Sequence, residues 1–429
     1  MQSIEYYIRK LLEYCEKENF SGYDPYDGLN SRLFQKSPFQ KSRIFRLAVI
    51  QLIKRLPINI RPLLLIPKTQ NPKALALFLM AFIKLKKAGL LENDDLIDLM
   101  IERLIALRSP GHLINLDQMD KTDQIDQKDQ INCQRSTGNC QRKLRPSSLP
   151  ASQLPSSYSC WGYSFPWQTR TILVPRGAPN LVCTVFVANA LLDAYEFKKD
   201  ERCLEMAKSA AEYILNELFW EDDSVACFSY PLPSLKNKVH NANFLGSALL
   251  CRVYAHCGEQ KFLEPALTAA RYSASRQNHD GSWYYGEHPT QQWIDNFHTG
   301  YNLCALKAIC KYADTSEFQP NIDKGLQFYR NNFFDGNGIA KYFHDRTYPI
   351  DIHSVAQSII TLLEFAELES DDRLAHSVFN WAISNMWDDK GYFYYQIHPA
   401  YKTKIPYMRW SEAWMLLGLA AMAENIRAN

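Results

Sequence analysis

The chain reads as an all-α protein, a closed (α/α)6 toroid of helical hairpins interrupted by a disordered insertion. Three observations predict it. Amphipathic helical patterns alternate with helices rich in Ala, Gly, Ser and Leu, which pack closely on neighbours at both sides. Loops opening on Asn278, Asn332 and Trp387 recur at spacings of 54 and 55 residues, with two helices per period, as in an array of helical hairpins. With 429 residues at 46% hydrophobic the chain buries a large core, and one closed ring absorbs a length that otherwise suggests two or three domains.

Residues 4–18 carry apolar positions at helical spacing and predict a first, outer helix. The next loop, FSGYDPYDGLNSRLF at 20–34, is broken by Gly22, Pro25 and Gly28. Its Tyr23, Asp24, Tyr26 and Asp27 resemble later loops, so it either connects helices or joins a common rim. Segments 44–54, 72–87 and 94–107 predict three more helices, with Asn93 or Asp94 capping the last. That is one helix more than the ring needs, which leaves the pairing of the N-terminal helices open. Near-repeats of Asp-Gln followed by a Ser/Pro/Arg stretch then mark a segment unable to support a core. The chain thus divides into first hairpins at 1–114, a low-complexity disordered insertion at 115–157, and the remaining hairpins with the cleft at 158–429. A lid that orders over substrate is the alternative for the insertion.

Order resumes at SCWGYSFPWQTR, residues 159–170. Trp161, Tyr163, Phe165 and Trp167 either line a sugar-binding cleft, since the apolar faces of sugars stack on aromatic rings, or plug one end of the toroid. Inner helices are expected at 181–197, 244–255, from 301, at 355–368 and at 411–427, with outer ones at 200–218, 263–276, 318–332 and 372–386.

A net charge of +2 without a basic stripe argues against a nucleic-acid partner. The start, MQSIEYYIRKLLEY, lacks the apolar core and cleavage site of a signal peptide, and the run 74–83 is too short to span a bilayer, so a cytoplasmic protein is expected. The 11 cysteines are dispersed without a CxxC pair and read as reduced, mostly buried thiols.

Aligning the inner helices on their apolar runs places polar pairs at i, i+3: His240 with Asn243, Asp295 with His298, Asp351 with Ser354, and Arg409 with Glu412. Any one of these is explained by an N-cap, a core histidine or an intrahelical ion pair. Their recurrence puts polar groups around one mouth, where the positive ends of helix dipoles converge. Asp295, Asp351 and Glu412 are acid/base candidates for cleaving a glycosidic bond. His240, His298 and His353, with Tyr301 or Tyr407, instead suit proton abstraction beside a uronate carboxylate that Arg409 neutralises. The first set describes a glycoside hydrolase, the second a polysaccharide lyase or sugar epimerase. Catalytic candidates are therefore Asp295, Asp351, Glu412, His298 and His353. Substrate-binding candidates are His240, Asn243, Arg409, Tyr301 and the stacking platforms Trp161, Tyr163, Trp283, Tyr285 and Trp293. Asp295 and His298 have usable spacing for a metal, with His353 of the next helix as a candidate to join them, but no third ligand is fixed by the sequence, and neither metal nor cofactor is expected.

At this point the chain resembles the six-hairpin (α/α)6 families of carbohydrate-active proteins. WGYSFPWQTR, HNANFLG, DGSWYYGE, DNFHTGYNLCAL, DIHSVAQS and MRWSEAWM look more narrowly like a bacterial group encoded among exopolysaccharide or capsule genes, whose members often carry the label delta-aminolevulinic acid dehydratase. The resemblance covers nearly everything outside 115–157 and implies polysaccharide biology with a polysaccharide or oligosaccharide partner. The repeat pattern itself shows neither the strand–helix alternation of a TIM barrel nor a Cys-rich zinc cluster. QNHDGSW is also similar to the Gln/Trp repeats of terpene cyclases, and DNFHTGYNLCAL to the zinc-histidine segment of protein prenyltransferase β subunits, His298 being the matching residue. The expectation is a carbohydrate-active enzyme, with a glycan-binding or scaffold subunit and an isoprenoid-handling toroid as alternatives.

Overall fold

The computed structural model describes residues 2–113, 158–366 and 369–428. The expected insertion at 115–157 lies outside them. Among the described residues run fourteen α-helices. They are α1 Ile4–Lys17, α2 Arg32–Gln35, α3 Arg43–Arg55, α4 Pro72–Lys87, α5 Asp95–Ala106, α6 Leu181–Lys198 and α7 Glu201–Tyr213. The chain continues through α8 His240–Cys257, α9 Leu263–Ala274, α10 Asn296–Tyr312, α11 Gln319–Asn332, α12 Ile352–Glu364, α13 Glu369–Met386 and α14 Ala413–Ala428.

The small-residue helices form the inner wall. α4, α6, α8, α10, α12 and α14 pack in that order, and α14 returns to α4 to close the ring. These helices are buried nearly all round, as α4 shows from Pro72 to Leu79, whereas an outer helix such as α1 buries one stripe of Tyr7, Ile8, Leu11 and Cys15. Small side chains permit the close packing. A Cβ on Gly300 of α10 would lie 2.7 Å from Thr361 Oγ1 and 2.8 Å from Gln357 Cγ on α12. Gly281, in the loop before α10, has φ +92°, and a Cβ there would sit 2.3 Å from Lys324 O.

The outer layer resolves the helix too many. α5, α7, α9, α11 and α13 back the inner helices they follow, but α1 packs on α14, the last helix of the chain. The two ends of the sequence thus complete the sixth hairpin. α3 belongs to neither layer. It rides on the rim, packed on the 3-10 turn Asp27–Asn30 and on the strand Trp167–Gln168, with Ile50 and Ile53 buried.

Inner helices start earlier than their apolar runs, at His240, Asn296 and Ile352, because the polar residues before each run form a capped first turn. Asn71, Asn180, Asp295 and Asp351 accept backbone N–H bonds from Lys73, Cys183, His298 and His353 at 3.1, 3.0, 3.0 and 2.8 Å. Short antiparallel strands pin the intervening loops. Phe219–Asp222 pairs with Val225–Phe228, and Ile350–Asp351 pairs with Gln396–Ile397, which pairs with Lys402–Thr403. The described cysteines are free thiols, most of them buried. Among the described residues no helix is long and apolar enough to cross a membrane.

Candidate functional site

The caps set a common register at the mouth of the ring. The N-cap residues are Asn71, Asn180, Val239, Asp295 and Asp351 for five inner helices, and Tyr407 for the π-helical turn Met408–Glu412 that leads into α14. Two residues beyond each stand Lys73, Val182, Asn241, Phe297, His353 and Arg409, and all of these line one cavity of about 500 Å³. Aromatics from the connecting segments wall it: Tyr26 from the loop after α1, Tyr163, Tyr230, Tyr285 and Tyr342 from the loops entering α6, α8, α10 and α12, and Trp410 from the π-helical turn before α14, while α3 contributes Lys54. Among the described residues lining it there is no aspartate or glutamate.

Two hydrogen-bonded side-chain pairs stand at this space. Asp295, its side chain fully buried, accepts His298 N–H at 3.0 Å and Trp293 Nε1–H at 2.9 Å, and its Oδ2 lies 2.7 Å from His298 Nδ1. A carboxylate at Nδ1 holds the proton there and leaves Nε2 of the partly exposed imidazole as an acceptor toward the cavity. In the second pair Tyr301 Oη lies 2.5 Å from His353 Nε2. His353 is sandwiched between Phe297 and Trp414, with ring centres at 4.4 and 4.6 Å, and Trp410 meets it edge-on at 4.6 Å. Burial and the neighbouring Lys73, Arg409 and His298 hold its pKa well below the ordinary histidine value, so it is neutral. Burial likewise keeps the Tyr301 phenol protonated. Tyr301 and His298 stand 6.0 Å apart, ring centre to ring centre.

Of the residues expected from sequence, His298, His353, Tyr301, Arg409, Tyr163, Tyr285 and Trp293 line the cavity, and Asp295 stands directly behind His298. The others lie elsewhere. Asp351 is fully buried behind the wall, accepting Gln396 Nε2–H at 2.6 Å, Trp410 Nε1–H at 2.9 Å and His353 N–H, with burial pushing its pKa up to about 6. Glu412 accepts Phe393 N–H at 3.0 Å and belongs to the far side of α14, near Tyr14, Cys15 and Tyr392. Burial raises its pKa well above the usual carboxylate range.

His240 and Asn243 face the outer layer instead, both meeting Ser273 of α9, while Asn243 also accepts Phe228 N–H at 2.9 Å. Val239 is the cap here, so the mouth-facing residue of α8 is Asn241, one place from the sequence alignment. Trp161 and Trp283 are core residues rather than platforms. Their indole N–H groups donate to Leu104 O at 2.8 Å and Ser273 O at 3.0 Å.

The expected anion clamp, Arg409, is already paired, donating to Asp24 Oδ2 and Oδ1 at 2.6 and 2.9 Å. Sequence reasoning missed Lys73, Lys54, Arg346 and Asn241. The signal for Lys73 was present: a lone lysine in the first turn of NPKALALFLMAF, a helix apolar all round, has a cavity as its natural place. Among the described residues no three His, Cys, Asp or Glu side chains gather as a metal-ligand set.

A second, outer hollow of about 700 Å³ adjoins the first. Trp293, Phe343 and Arg346 belong to both. Beyond them it is walled by Tyr284 and by polar groups such as Asn278, Asp280 and Gln292.

No protein-family profile and no curated protein sequence matches the chain. Solved structures do. It is similar to a cellobiose 2-epimerase from Bacillus thermoamylovorans, at 10% identity and a TM-score of 0.56 over 82% of this chain and 87% of that one. It is similar to a GH76 α-mannanase from Bacteroides thetaiotaomicron, at 10% identity and 0.55 over 83% and 86%. A sugar epimerase from a ruminal bacterium matches at 11% identity and 0.54 over 84% and 87%. At such identities the likeness shows the fold: this chain is an (α/α)6 toroid of helical hairpins.

Proposed function

We propose that the protein is a carbohydrate-active enzyme that moves a proton at a sugar carbon, by epimerisation or elimination, on an oligosaccharide or polysaccharide of bacterial exopolysaccharide or capsule metabolism. The observation that carries this is the placing of Asp295-held His298 beside Tyr301–His353 on the wall of one cavity. Hydrolysis by the common glycosidase route needs two carboxyl groups flanking the scissile bond. Asp351 and Glu412 stand behind the wall, and Asp295 is engaged by His298 and Trp293. A histidine acceptor and a phenol donor instead suit removal of a proton from a carbon acidified by an adjacent carbonyl or carboxylate.

His298 Nε2 takes the proton. Tyr301 Oη gives one back, to the opposite face of the carbon in epimerisation or to the departing glycosidic oxygen in elimination, and solvent restores both groups. The toroid does not choose between the chemistries, since similar folds belong to an epimerase and to a mannanase. The outer hollow across Trp293 provides room for further sugars. Exopolysaccharide involvement rests on the sequence motifs quoted above.

The test is a panel of acidic and neutral oligosaccharides incubated in deuterated water. Expected are deuterium at one sugar carbon or an unsaturated product, both reduced roughly 10²- to 10⁴-fold by Tyr301→Phe. New reducing ends without exchange, undiminished in that variant, would sink the proposal. One observation favours a second function: the cavity wall is largely aromatic, as an isoprenoid pocket would be. Turnover of a prenyl diphosphate with no activity on any sugar would decide for it.

A further inference from the structure

Of the two lysines at the mouth, Lys54 bonds Tyr26 Oη at 2.7 Å, whereas Lys73 has no oxygen partner for its Nζ among the described residues. It is 3% exposed, and no carboxylate, hydroxyl or carbonyl oxygen bonds its Nζ. Nζ instead sits over rings, 4.0 Å from the centre of Phe186, 5.2 Å from Trp414 and 5.4 Å from Tyr301. α4 is its own element; α6 presents Cys183, α10 Tyr301, α12 His353, the segment entering α14 Arg409, and the first loop Asp24. Asp24 is the sole carboxylate of this group and is taken by Arg409. Two basic groups thus share one acid, at a point where six helix N-termini add their positive ends.

We propose that Lys73 is the carboxylate-recognising residue of the cavity, and that the ligand it takes is an acidic sugar, a uronate residue, whose carboxylate becomes its ion-pair partner. This rests on the proton-transfer function above and names its substrate class. Desolvation, chiefly, and Arg409 hold the empty lysine's pKa well below its ordinary value. An arriving carboxylate reverses that, so binding draws a proton onto Nζ. A protonated Lys73 against the substrate carboxylate also withdraws charge from the neighbouring carbon, which is what abstraction by His298 requires.

Calorimetric titration of trigalacturonate, and of cellotriose as its neutral counterpart, in buffers of different ionisation enthalpy tests this without turnover. Expected is tighter binding of trigalacturonate, with net proton uptake on binding. Lys73→Met should weaken that binding at least about 30-fold and abolish the uptake while leaving cellotriose unchanged. Equal affinities for the two sugars, failure of trigalacturonate to bind at millimolar concentration, or a Lys73→Met protein that keeps acidic preference and proton uptake would each overturn it. So would farnesyl diphosphate displacing trigalacturonate with far higher affinity. Should Lys73→Met not fold, the wild-type titration still decides: trigalacturonate bound no more tightly than cellotriose overturns the proposal. Tyr301→Phe separates the two proposals, because it should bind trigalacturonate with the same proton uptake as wild type while losing turnover.

Discussion

The first turns of α10 and α12 are built from nearly the same parts and do different work. Each begins with a buried aspartate cap, Asp295 or Asp351, and each cap accepts an indole N–H at 2.9 Å, from Trp293 or Trp410. Each is followed by a histidine. In α10 the histidine comes three places after the cap, within reach of its carboxylate. In α12 it comes two places after, turns toward the cavity and bonds Tyr301, and Gln396 takes the free carboxylate oxygen instead. One residue of register separates a carboxylate that orients a cavity-lining histidine from one that holds a helix to its neighbouring strand.

Removing the two carboxylates in parallel is the sharpest way to break this comparison. Asp295→Asn should lower turnover by roughly 10²- to 10⁴-fold with a near-normal melting temperature, because His298 loses the partner that fixes its tautomer. Asp351→Asn should leave turnover within about 10-fold. Steady-state rates on whichever oligosaccharide the exchange panel identifies check both, and equal rate losses in the two variants would mean that the carboxylates share one role.

The next largest effect concerns stability. The buried Asp351 carboxyl is pushed from 3.8 up to about 6, so the folded protein holds its proton where the unfolded chain has lost it. The stability this contributes is full below about pH 4 and is lost as pH rises through about 6. Two pH units correspond to about 3 kcal/mol. Asp351→Asn has no such proton to lose, so its unfolding free energy should decline less than that of wild type between about pH 4.5 and 7.5. Denaturant titrations at the two values measure it, and parallel declines would show that Asp351 is ionised throughout.

These contrasts also explain what could be read from the sequence. The ring was legible because a 54-residue rhythm and the small-residue helices are properties of composition and spacing. Half of the site was legible for the same reason, since DNFHTG repeats a pattern seen again in DIHS. The rest turned on facing, which apolar runs fix only to within a residue. Matched on those runs, α8 offers His240 and Asn243; matched on the caps, it offers Asn241. Asp24, Tyr26 and Lys54 come from the first 55 residues, and nothing local indicates that the loop after α1 lies beside the start of α14 until α1 is known to back that last helix.

The smallest effect isolates the indole that each aspartate shares. Trp293→Phe keeps an aromatic ring to stack on Tyr285, whose ring centre lies 4.5 Å away, and removes only the N–H that donates to Asp295. A hydrogen bond to a carboxylate contributes about 1.5 to 3 kcal/mol. Asp295 keeps its bonds from His298, so the expected loss in kcat/KM is near the lower end, roughly 10-fold. It should appear equally for short and long oligosaccharides, because the stacking surface toward the outer hollow survives. A loss confined to long chains would place the importance of Trp293 in sugar binding; no loss would leave the backbone and imidazole of His298 as sufficient partners for Asp295, and the likeness between the two first turns would be one of packing alone.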